Sequence, residues 1–379
     1  MDKQTKILAW LVVIALVVWG LFSLNKKESV TPESNEVVKI GVILPLSGVR
    51  ADAGEFSQNG LNLAVEEINT DPNRKHKIDL LYEDSRYEAQ VAVSAVRKLL
   101  NLDGVRYLIG PYGSSEVMAV GPITEESKAI LIVTGAQSDE ISLLGDYVFR
   151  IIHNSAQEAP IFARFVAEKI KNDTLHFLVI NTAITDPYLK TFIPVFESTG
   201  RKIGLIERFD QKTIDFKTEL TKIKAQNPSD VFLIASPKMV GLILKQAHEL
   251  GIRAQFYNIG VEGPDIVNVA GSLAEGLLYP YSYDSHGGEE SVRSFYNRYV
   301  ARFMGEPDTL AANSYDAVYL LSDCLEKNGN DVEEVKKCLY NTSNFAGASG
   351  VFSIDDNGDA VKDIFIKTIK NGQFVKLEE

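Results

Sequence analysis

Short continuous apolar runs and apolar stripes at helical spacing alternate along this chain. Residues 39–44 form a run of the kind found in strands buried on both faces. Pro45, Ser47, Gly48 and Gly54 then punctuate a loop. Leu61, Ala64, Val65 and Ile68 follow on one helical face. Strand, loop and helix make the first half of a βαβ unit. The pattern recurs in a strand at 78–82, a helix at 89–100, and a strand at 107–109 that ends in Gly110-Pro111. A helix opening on Ser114 and Ser115, a strand at 130–133 and a polar loop at 134–140 come next. Three successive βα loops thus place small polar residues at one edge of one sheet, where open α/β sheets take their ligands.

A second series follows without a long linker. Helices are predicted over 161–170, 188–198, 216–225 and 240–250, and extended segments over 176–180, 202–209, 231–235 and 255–259. Pro194 should bend the second of these helices, and Gly251 ends the fourth. Helical stripes return at 289–303, 312–327 and 332–340. Two closing strands, 351–354 and 363–369, are expected to be joined through the turn Asp356-Asn357-Gly358-Asp359. Two βαβ series predict an α/β protein with two lobes, each a parallel sheet flanked by helices.

The N-terminus is different in kind. Lys3 and Lys6 precede an apolar run over 7–24 that holds both tryptophans. Its length reaches the ~18 residues of a membrane span and exceeds a usual signal-peptide core. No small-x-small cleavage pattern or cysteine follows it. Residues 1–24 are therefore expected to be a membrane anchor or signal segment, and 25–36, polar and carrying Pro32, a linker.

Charge and chemistry narrow the function. A net charge of −12 argues against nucleic acid and against anionic lipid surfaces as partners. There is no Walker loop, GxSxG elbow or HExxH pair, so neither catalysis nor a cofactor or metal is expected. Asp355, Asn357 and Asp359 alternate like the start of a calcium loop, but the closing glutamate is missing, and a turn is expected.

Several ordered motifs carry a resemblance. They are PLSG at 45–48, NG with AVEEIN at 59–69, IGPYGSSE at 109–116, ILIVTGAQSDEIS at 130–142, GVEG at 260–263 and AANSYDAVYLL at 311–321. Together they resemble type I periplasmic binding proteins, and most closely the branched-chain amino-acid binding proteins of ABC importers. The resemblance implies two lobes joined by three crossings, with a ligand cleft between them and an extracytoplasmic location. It puts lobe one at 37–152 plus 284–346, and lobe two at 153–283 plus 347–379. It implies a free amino acid as ligand, branched-chain or otherwise uncharged, with membrane permease subunits as partners. Binding of another small polar solute, such as an amide, urea or aromatic acid, and a role as an anchored sensing ectodomain are the alternatives.

The same resemblance assigns site residues. Ser114 and Ser138, with main chain of Gly135 and Ala136, would hold the carboxylate and ammonium from lobe one. Glu262 would close onto the ammonium from lobe two, and Tyr188 would cover the ligand. Ser236 and Ala53 stand where side-chain contacts are expected, Ala53 leaving room where an aromatic often packs. Cys324 and Cys338, on neighbouring helical segments, are expected to be bonded outside the cell.

Overall fold

The computed structural model describes residue 2 and residues 36–378, Val261 excepted. The expected anchor or signal segment at 1–24 and the linker at 25–36 thus lie outside the described residues, apart from Asp2 and from Glu36, which opens the first strand. Among the described residues no helix is long and apolar enough to cross a membrane.

The first sheet follows the predicted alternation. It contains β1 (Glu36–Leu44), β2 (His76–Asp84), β3 (Tyr107–Ile109), β4 (Ile130–Val133) and β5 (Val148–Arg150), in the order β2-β1-β3-β4-β5. β1, β3, β4 and β5 pair in parallel. Ile40 to Leu44 are all buried because helices cover both faces. These helices are α1 (Ala51–Thr70), α2 (Ala89–Asn101) and α3 (Ser114–Glu126), joined by the later α10 (Thr309–Asn328). α1 and α10 meet so closely that a Cβ on Gly60 would lie 2.1 Å from the Ala311 carbonyl oxygen.

The second sheet has seven strands. Its order is β15-β14-β10-β9-β8-β6-β7, from β6 (Thr174–Ile180), β7 (Lys202–Phe209), β8 (Asp230–Ile234), β9 (Gln255–Asn258), β10 (Leu278–Tyr281), β14 (Phe365–Lys370) and β15 (Gln373–Lys376). The pairs from β7 to β10 are parallel, whereas β10–β14 and β14–β15 are antiparallel. The expectation of a parallel sheet therefore holds in this lobe up to β10 and fails at its last two strands. A tight turn at Asn371-Gly372 links β14 to β15, and such a turn can only join antiparallel neighbours.

The closing segment departs from the expected lobe boundaries. β11 (Phe345–Gly347), β12 (Gly350–Ile354) and β13 (Ala360–Val361) form a separate small sheet. It attaches to the first lobe: Asp359 bridges Arg150 of β5, and the buried Asp316 carboxylate on α10 accepts from the Ala348 and Ser349 backbone N–H groups. Only β14 and β15 enter the second sheet. The third crossing thus falls at 362–364, not near 347–350, and the turn at 355–359 joins β12 to β13 rather than to β14. Apolar patterning shows which segments are strands but not which edge each one reaches.

Cys324 on α10 and Cys338 on α11 (Val332–Tyr340) are disulfide-bonded, with Cα atoms 5.7 Å apart and a sequence separation of 14. Closing a loop of this length withdraws about 3 kcal/mol of chain entropy from the unfolded state. Reduction is expected to lower unfolding free energy by about that amount in urea titrations. A loss below ~1 kcal/mol would show that the helices hold together without the bond.

Candidate functional site

The order β2-β1-β3 reverses direction between β1 and β3, which opens a crevice at the strand ends. The loop after β3 is shaped by Gly110: its φ is +98°, and a Cβ there would lie 2.0 Å from the Ile43 carbonyl oxygen. This turn delivers Ser114 to the start of α3. The Ser114 hydroxyl accepts from the Ser138 backbone N–H at 3.3 Å, so the two serines, distant in sequence, do meet. Ser138 is fully buried, and its hydroxyl donates to the Ala183 carbonyl of lobe two at 3.3 Å. Its own carbonyl accepts from Arg150 Nη1 at 2.7 Å. Asp139 accepts from the Ala156 N–H at 2.7 Å beside the first crossing.

On lobe two, Glu262 sits in the loop between β9 and the helix at Pro264–Ala270. Its Oε1 accepts from the Tyr279 hydroxyl at 2.7 Å and lies 2.6 Å from Lys367 Nζ. Tyr279 and Lys367 are direct cross-strand partners in β10 and β14, so the sheet register itself aims both at one carboxylate. Burial raises the Glu262 carboxyl above its ordinary range, with Lys367 and Tyr279 acting in the opposite direction. The Lys367 side chain is 3% exposed and lies 5.2 Å from the centre of the Tyr281 ring.

A cavity of about 2000 Å³ opens beside Glu262. Lobe one contributes Asp52, Phe56, Asn59 and Asp308; lobe two contributes Glu262, Phe165 and Lys367; the second crossing contributes Tyr283 and Asp284. Asp308 is the N-cap of α10 and accepts from the Ala311 N–H at 2.9 Å. Burial pushes its carboxyl up to about 7, against the hydrogen bonds from the helix start. Arg50 stacks 4.4 Å from the centre of the Tyr112 ring, and Tyr112 in turn covers Gly135, where a Cβ would lie 2.6 Å from Tyr112 Cδ2.

Among the described residues, Glu262 is the one expected ligand residue that lines the cavity. Tyr188 is 1% exposed and stacks on Phe192 within the aromatic core of lobe two, its ring 5.9 Å from that of Phe232. It lies in the first turn of the helix Thr185–Glu197. Ala53 is buried in the first turn of α1, with its neighbours Asp52 and Phe56 facing the cavity instead. Ala136 is buried in the core of lobe one, and Ser236 is the half-buried N-cap of the helix Pro237–Glu249. Sequence reading missed Asp308, Tyr283, Arg50, Tyr112 and Lys367. One signal was available, since Lys367 interrupts the inward face of a strand whose next inward residue is Ile369.

Residues 37–373 match the family model described as periplasmic binding protein. The chain belongs to the periplasmic binding protein family. As a periplasmic binding protein it binds solutes outside the cytoplasm and is not an enzyme. It is 25% identical over 331 residues to the leucine-, isoleucine-, valine-, threonine- and alanine-binding protein of Pseudomonas aeruginosa, covering 86% of this chain and 87% of that one. Its fold matches the crystal structure of the leucine-binding protein LivK of Thermotoga maritima with a TM-score of 0.85 and 26% identity, over 90% of this chain and 98% of the other. A benzoate-bound solute-binding protein of R. palustris shares the fold alone, at 22% identity and a TM-score of 0.83 over 90% and 95% of the two chains.

Proposed function

We propose that this periplasmic binding protein is the solute-binding component of an ABC importer and captures a free α-amino acid between its lobes. The observation that carries this reading is the position of Glu262: a lobe-two carboxylate lines the cleft, facing lobe one, in the sequence context of amino-acid binders. The relatives named for leucine, isoleucine and valine support the same class. Ser114 and Ser138 meet at 3.3 Å at the carboxyl edge of the first sheet, where a head group would find two hydroxyls. With the lobes together, Ser138 is capped by Ala183, so ligand entry requires the lobes to part.

Glu262 is not left without a partner in the absence of ligand, because Lys367 already neutralises it. Closure is therefore driven by the sum of new contacts rather than by one unpaired charge. The test is a thermal-shift screen of the soluble part against the twenty amino acids. A binder raises the apparent melting temperature by mass action, and a flat response to all twenty would end the amino-acid reading.

Residues 7–24 serve in this reading as an uncleaved anchor that holds the binding lobes at the membrane surface. N-terminal sequencing of the protein made in a native host decides the point: a mature chain that starts beyond residue 24 would replace the anchor with a cleaved signal.

A further inference from the structure

Where the first two crossings run between the lobes, several polar side chains are buried together. Glu158 lies on the helix Ser155–Lys169, which packs Phe162 against Phe232 and Tyr257 of the second sheet. Its side chain is buried, and its Oε2 lies 2.6 Å from Nε2 of His153, a buried residue of the first crossing. His153 Nδ1 lies 2.8 Å from the Ser282 hydroxyl on the second crossing. From lobe one, the Gln137 carboxamide nitrogen lies 2.8 Å from His153 Nε2 and donates to Glu158 Oε2 at 3.4 Å. From lobe two, the Gly260 backbone N–H donates to Glu158 Oε1 at 3.3 Å. A Cβ on Gly260 would lie 2.7 Å from Glu158 Oε2 and 2.6 Å from the Pro280 carbonyl oxygen, so this loop is seated directly on the carboxylate.

The two loops that meet here are those of the candidate site. Gln137 stands between Ala136 and Ser138, and its carbonyl accepts from both the N–H and the hydroxyl of Ser155 at 3.0 Å. Gly260 precedes Glu262 by two residues. A buried carboxylate is stable only while its donors stay within reach, so drawing the loops apart is unfavourable. We propose that Glu158 is a positioning residue for ligand capture: with His153 it clamps the Ser138 loop to the Glu262 loop and favours the closed arrangement of the lobes. That these loops contact the ligand rests on the amino-acid reading above, whereas the clamp itself does not.

The test uses two exposed labelling sites, Gln90→Cys on lobe one and Lys238→Cys on lobe two, read by electron spin–spin distances without ligand. The chain's own cysteines are bonded and take no label. In Glu158→Leu the distance distribution is expected to lengthen and broaden. Glu158→Gln keeps an oxygen for these donors and should restore it towards wild type. Gln137→Leu leaves the Glu158–His153 pair in place and should also lengthen the distance, and it decides the point if Glu158→Leu does not fold. By calorimetry, L-leucine affinity should fall about tenfold or more in Glu158→Leu and less than about threefold in Glu158→Gln. A distribution unchanged in Gln137→Leu would overturn the clamp, and lengthened distances with unchanged L-leucine affinity would overturn its role in capture. If L-leucine fails to bind wild type while the distances shift, the clamp stands and the ligand reading alone falls.

Discussion

Replacing Lys367 by methionine is expected to lower the unfolding free energy by about 3–5 kcal/mol at neutral pH. The methionine fills much of the lysine's volume, so packing loss is minor. What remains is Glu262 in a nearly closed site, its side chain 13% exposed, held among the described residues by the Tyr279 hydroxyl. Burial already raises this carboxyl, and loss of the lysine removes the largest opposing influence. A carboxyl whose folded pKa is raised favours the folded state at low pH and loses that contribution as pH climbs through the folded value. The deficit of the variant should therefore shrink as pH falls and Glu262 takes up a proton. Adding Glu262→Gln should recover most of the loss, because a pair removed together leaves no buried charge. Urea titrations of the single and double variants check this. A single-variant loss under ~1 kcal/mol at pH 7 would mean that Glu262 is hydrated and free for ligand.

The second large effect is expected at Arg150, which is 0% exposed. Its Nε donates to Asp359 Oδ1 at 2.8 Å, its Nη1 to the Ser138 carbonyl at 2.7 Å and its Nη2 to the Ser142 hydroxyl at 2.8 Å. Asn154, at the first crossing, donates to the other Asp359 oxygen at 3.0 Å. One guanidinium thus ties the last strand of the first sheet to the small closing sheet and to the loop that carries Ser138. Arg150→Met leaves Asp359 buried and charged, and should cost about 3–5 kcal/mol in stability. Arg150→Lys should recover only part, since one ammonium cannot reproduce a planar fork that reaches three acceptors. The Ser138 carbonyl loses its anchor in both variants, so ligand affinity should fall alongside stability. Denaturation of the two variants within ~1 kcal/mol of wild type would show that Asp359 finds solvent or another cation.

Much of the architecture was legible in the chain. Continuous apolar runs at 40–44, 107–109 and 130–133 can be strands only if both faces are covered, which implies flanking helices and parallel order. The stripe Leu61, Ala64, Val65 and Ile68 predicts the buried face of α1; Leu61, Ala64 and Ile68 are buried and Val65 is half-buried. The loops at strand ends were also legible, because Gly, Pro and Ser mark them by local backbone preference. These are properties of residues near one another in sequence.

The cleft was not legible in the same way. Asp308 reads as a helix cap and is one, yet only the folded chain places it in the wall of the cavity that Glu262 and Lys367 also line. Tyr188 reads as a rim residue by motif, and the helix that carries it turns it into the core. Glu262 was foreseen, but its partner Lys367 comes from a strand 105 residues later, brought into register with Tyr279 by an antiparallel edge. The chain by itself determined most of the strands and helices and the two α/β series, since each depends on periodicity and local conformation, while short strands such as Val148–Arg150, Leu278–Tyr281 and Gln373–Lys376 escaped it. Tertiary structure alone decided which sheet received the closing strands and which charges were neutralised. Desolvation and ion pairing depend on what surrounds a group in space, and sequence spacing does not record that.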